Sequence, residues 1–126
     1  MRTATATLAE PFRLAKHGKR LWRMRRLRGA FVEAKVALGE RMFAAGIDDG
    51  ELGAKIIALD HQLCQVEAVG GSTQSLKAAR RQLVVQLAAA ALEDDGPLPS
   101  ADAEYRRARE AQEALDRHEN GADALD

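Results

Sequence analysis

The chain has 126 residues, of which 46% are apolar, 30% charged and only 4% aromatic. This suits one folded soluble domain better than a disordered chain, and the length excludes two full-sized domains. Cations and acids balance at 19 each, yet residues 1–36 hold ten Lys/Arg against two acids, and residues 37–126 hold nine against seventeen. A zero sum therefore conceals a basic leading end and an acidic remainder, which directs attention to anionic partners or to the chain's own acidic end.

With so few aromatics, a core must be built from Leu, Val, Ile and Ala, which favours close-packed helices over an aromatic-rich strand sandwich. Residues 1–10 read as a flexible N-terminus. They lack the apolar core of a secretory signal, although their Arg, Ala and Thr content is shared with organelle transit peptides. A first helix is expected from about Pro11 to Ala45. Its second half repeats Leu27, Phe31, Ala34, Leu38, Met42 and Ala45 at helical spacing, with Val32, Val36, Gly39 and Phe43 on a neighbouring face. Two apolar stripes imply contact with more than one helix.

"FAAGIDDGEL" at 43–52 reads as a tight helix-to-helix turn. Gly46 suits a left-handed helix end, Asp48 and Glu51 have capping-box spacing, and Ile47 and Leu52 have hydrophobic-staple spacing. The next helix carries Leu52, Ile56, Leu59, Leu63 and Val66, a coiled-coil-like seam ending at "VGGST". Ser72 or Thr73 would cap a third helix over 74–93, whose core side is Leu76, Leu83, Leu87 and Ala90. The small residues of 88–91 offer close packing or a seat for self-association. Its run Leu83–Leu92 is far shorter than the roughly 18 residues of a membrane span.

"EDDGPLPS" at 93–100 interrupts the helix, with 94–100 as a linker. Ser100 would cap an acidic helix over 101–119, whose sparse inner residues are Tyr105, Ala108 and Leu115, before a frayed tail at 120–126. The expected fold is all-α: an antiparallel helical hairpin or three-helix bundle over 11–93, with one long N-terminal helix and a loosely attached acidic C-terminal helix. Helix two would run back along helix one with helix three beside both. It would reach only to about Arg25, so the earlier part of helix one would overhang.

That overhang carries "KHGKRLWRMRRLR" at 16–28. Lys16, Lys19, Arg20, Arg23, Arg25, Arg26 and Arg28 form a candidate partner-binding arm, with Trp22 as an anchor. Such a helix can dock on an acidic protein surface, lie in an anionic lipid interface or track nucleic-acid phosphates. Leu27, Phe31, Leu38, Leu83 and Leu87 are the candidate core or oligomer interface, and a homo-oligomer is expected.

Chemistry is sparse. His61 and Cys64 lie three apart, but His17 and His118 are in distant segments, so a small buried thiol beside a boundary histidine is the expectation rather than a metal site. The single Cys64 excludes an internal disulfide framework and points to a reducing, cytoplasmic setting. "VGGSTQSLK" lacks phosphate-loop spacing. No catalytic residue, cofactor, metal or small-molecule substrate is expected. The functional expectation is a non-enzymatic interaction or scaffold protein that self-associates and docks on an acidic surface through its arm.

Overall fold

The computed structural model describes residues 2–47, 50–94 and 99–125, with the side chains of 2–17 and 122–125 outside the description. Among these residues every regular element is helical: α1 (Arg2–Ala44), α2 (Glu51–Ala68), α3 (Gln74–Glu93) and α4 (Asp102–Leu125). The all-α expectation holds. The arrangement of the helices differs from the hairpin read from the sequence.

The turns follow from glycine. Gly46 has φ of 75°. Its N–H donates to the Phe43 carbonyl at 3.1 Å, and that of Ile47 donates to the Met42 carbonyl at 2.8 Å. This is the doubly bonded Schellman ending, which satisfies carbonyls that the last helical turn leaves open. Gly70 (φ 70°) and Gly71 close α2 in the same way on Glu67 and Val66. The cap of α2 falls at Gly50 rather than Asp48, and glycine has no side chain with which to cap the helix. Asp48 and Asp49 lie outside the described residues. Ile47 and Leu52 nevertheless both pack against the core. Thr73 occupies the N-cap of α3 without a side-chain bond. At α4 the first helical bond runs from the Tyr105 N–H to Ala101, one residue past the expected cap Ser100.

The core consists of Ala34, Leu38 and Met42 from α1, Ile56 from α2, Val84, Leu87, Ala88 and Leu92 from α3, and Ala101 and Ala108 from α4. Helix α1 packs against α3 and α4, so its two apolar stripes have the two partners they imply. The partners are not the expected ones. Helix α2 rests chiefly on α3, and α4, expected to be loosely attached, lies along α1. The Arg41 Nε donates to the Ser100 carbonyl at 2.9 Å, while Arg28 and Glu119 approach to 3.9 Å. The end of α1 therefore sits at the start of α4, and the two helices are antiparallel. The helix also extends to Leu125, so most of the expected frayed tail is helical backbone. At the other end α1 begins at Arg2, through the segment expected to be flexible.

Two contacts fix α1 against α3. A Cβ built on Gly39 would stand 2.6 Å from the Val84 Cγ1 and 2.9 Å from its carbonyl carbon, so only glycine allows the backbones this close. Beside the crossing, Arg80 of α3 reaches across three helices. It donates to Asp60 of α2 at 2.6 Å, pairs through two nitrogens with Glu40 of α1, and lies 5.8 Å from the Phe43 ring centre. The Glu40 hydrogen bonds raise the arginine's pKa above its ordinary value against the opposing effect of burial, with Asp60 adding to the rise. Arg81 pairs with Glu33 at 2.5 Å farther along.

Candidate docking arm

A helix of 43 residues is about 64 Å long. Arg28 meets Glu119, and α4 continues six residues to Leu125, or about 9 Å. The described part of the antiparallel partner therefore reaches the level of Trp22, and roughly 30 Å of α1 backbone lies ahead of that point. Among the described residues this stretch of α1 extends past α4, which sets the boundary in place of the expected α2.

Along the arm, the line Arg20, Met24, Leu27, Phe31 steps by four, three and four towards Ala34 and Leu38, and these side chains are half-buried or buried. Off this line, Gly18, Lys19, Leu21, Trp22, Arg23, Arg25, Arg26 and Arg28 are exposed. Trp22 retains 61% of its surface in solvent and Leu21 46%. The Arg26 guanidinium sits 5.5 Å from the Trp22 ring centre, a cation–π distance that holds the indole beside the charge.

The arm's cations have different surroundings. Arg28 makes a long, exposed contact with Glu119, a geometry that contributes little. Arg20 is half-buried and engaged within the molecule. Lys19, Arg23, Arg25 and Arg26 have no ion-pair partner among the described residues. Lys16 lies on the α1 backbone, and its side chain is outside the description.

The acidic part of the chain is not gathered opposite them. The exposed acids of α4 (Asp102, Glu110, Glu113 and Asp116) alternate with exposed Arg106, Arg107 and Arg117. Sequence totals miss this mixing because they sum over residues that face different ways. Of the five apolar interface candidates, Leu38 and Leu87 are buried in the molecule's own core. Phe31 and Leu83 pack partly buried against it, and Leu27 is half-buried below the arm. These residues are occupied by internal packing, and Ala88 is likewise fully buried.

A different apolar face remains outside. Ala54, Ile57, His61, Cys64 and Ala68 are all exposed and step by three, four, three and four along α2, opposite the seam that packs on α3. Cys64 is thus an exposed thiol and not the buried one expected, because α2 has one main partner helix and this residue faces away from it. Ile57, Asp60, His61 and Cys64 line an open depression of about 180 Å³. Among the described residues no three His, Cys, Asp or Glu side chains converge as a metal-ligand set. The exposed stripe could have been found from sequence by testing α2 for a second seam after assigning the first.

No protein-family model, curated protein or solved structure matches the chain.

Proposed function

We propose that this chain is a non-enzymatic helical interaction protein, a scaffold that associates with itself and docks on an acidic partner surface through the arm of α1. The observation that carries this reading is the cluster of Lys19, Arg23, Arg25 and Arg26 around Trp22, exposed and without ion-pair partners among the described residues. A rigid helix presents Lys19, Arg23 and Arg26 in a fixed row with Arg25 about a third of a turn away, so a matching acidic surface meets several at once with little loss of backbone freedom. Electrostatic attraction speeds the encounter, and the indole gives the contact an apolar anchor. The mixed charge of the exposed face of α4 favours an external acidic surface over a neighbouring copy's α4.

Self-association is assigned to the outer face of α2. The stripe is nearly symmetric about His61: a copy related by a two-fold axis would set Ala54 against Ala68 and Ile57 close to Cys64.

The test of the arm is retention on immobilised poly-glutamate over a salt gradient. The wild-type protein should bind at low ionic strength and elute as salt screens the charges. The triple variant Arg23→Glu, Arg25→Glu, Arg26→Glu should flow through with its helical circular dichroism intact. Wild-type protein that is not retained at low salt would remove the reading.

A further inference from the structure

We infer that the acidic surface the arm meets is an anionic lipid bilayer, entered at headgroup depth by Trp22 and Leu21; this rests on the reading that the arm docks on an acidic surface. Three features of the arm converge on that occupant.

The first is the pairing of two large apolar side chains in solvent at adjacent positions, Leu21 and Trp22, in a stretch over 19–28 whose other exposed side chains are all cations. A scattered exposed leucine means little, but an indole with an aliphatic neighbour is the composition of an interfacial helix. A phosphodiester polymer would use the charges and could stack a base on Trp22, yet it would leave Leu21 in water.

The second is the placement of the cations. Successive helical residues turn by about 100°, so Leu21 and Trp22 stand about 100° apart with Arg25 between them, Arg28 beside Leu21, and Lys19, Arg23 and Arg26 beyond Trp22. Long basic side chains at these positions can lie along Leu21 and Trp22 and place their charged ends among lipid phosphates and carboxylates. The stacking of Arg26 on Trp22 already holds one cation beside the anchor.

The third is access. The half-buried line of Arg20, Met24 and Leu27 lies on another side of the helix, and among the described residues Leu21 and Trp22 are both exposed. No helix among the described residues is long and apolar enough to cross a membrane, so the contact is with the surface.

Trp22 is the only tryptophan in the chain, so its emission reports on this site alone. Full-length protein should be titrated with phosphatidylcholine vesicles, with vesicles containing phosphatidylserine, and with a single-stranded oligonucleotide. Poly-glutamate retention should be measured on the same sample. A blue shift with serine-containing vesicles, absent with phosphatidylcholine alone, supports the inference. Arg23→Gln and Arg26→Gln should each weaken vesicle partitioning by about fivefold, the effect of one cation near an anionic surface. Trp22→Phe should preserve co-sedimentation with vesicles, while Trp22→Ala should reduce it. Retention on poly-glutamate with an unshifted Trp22 in serine-containing vesicles would overturn the lipid assignment and leave the acidic-surface reading in place. Failure on both would remove the two together. Tighter binding to the oligonucleotide, with quenched and unshifted emission, would overturn the lipid assignment in favour of nucleic acid.

Discussion

Glycines at similar positions on one helix do different work, and their substitution separates packing from propensity. Gly39 and Gly29 both lie inside α1, where alanine is favoured over glycine by about 1 kcal/mol. An added methyl at Gly29 meets nothing within 4 Å, whereas at Gly39 it meets the Val84 backbone and side chain. Overpacking of that kind costs about 1–3 kcal/mol and outweighs the propensity gain. Thermal unfolding should therefore show Gly29→Ala raising Tm by a few degrees and Gly39→Ala lowering it. A Gly39→Ala protein as stable as the wild type would mean that the two helices do not approach so closely. The sequence places Gly39 in an apolar stripe without naming the carbonyl it faces, because close approach depends on the partner helix and its register. Gly46 is more legible. A glycine after a helical run, followed by a hydrophobic residue, is a local pattern, and the local bonds realise it.

At the scale of the helix, α4 is where sequence reading and structure part. Ala101, Tyr105, Ala108, Gln112 and Leu115 step by four, three, four and three, the spacing of a seam, but alanine contributes little hydrophobicity. A helix judged by apolar content looks weakly attached. What holds it is complementarity: small residues on α4 admit the larger Phe31, Leu38 and Met42 side chains that α1 brings to the shared core. Tyr105 adds a polar tie by donating to the Asp94 carbonyl at 3.2 Å. Ala108 is fully buried, so Ala108→Arg places an unpaired cation in that seam, at a cost of about 3 kcal/mol or more. Because α4 packs mainly on α1, the expected result is local. Hydrogen exchange should show amides of 102–120 losing protection while α2 and α3 keep theirs. Uniform loss across all four helices would instead make α4 an integral part of one cooperative unit. The boundaries of α2 and α3 were readable because Gly46, Gly70 and the acid- and proline-rich stretch from Glu93 each interrupt a strong helical repeat.

For the molecule as a whole, the two proposed contacts lie on different helices and draw on different forces, so one measurement can separate them. The arm contact is ionic and should weaken with salt, because its cations stand in water within reach of counterions. The α2 face carries Ile57, 51% exposed, in an apolar stripe with Ala54, Cys64 and Ala68, and association through it should tolerate salt and persist when the arm is neutralised. Light scattering of the purified, reduced protein should give a mass above one chain at both low and moderate salt. The substitution Ile57→Glu should return a monomer without loss of helical signal, since the side chain points away from the core. The arm triple variant should leave the mass unchanged. The reduced state matters because an exposed Cys64 within the same stripe can cross-link copies on oxidation and imitate association. A monomer at every salt concentration would eliminate self-association while leaving the arm's binding open to its own test. An oligomer that dissociates with salt and with arm reversal would move the contact from α2 to the arm.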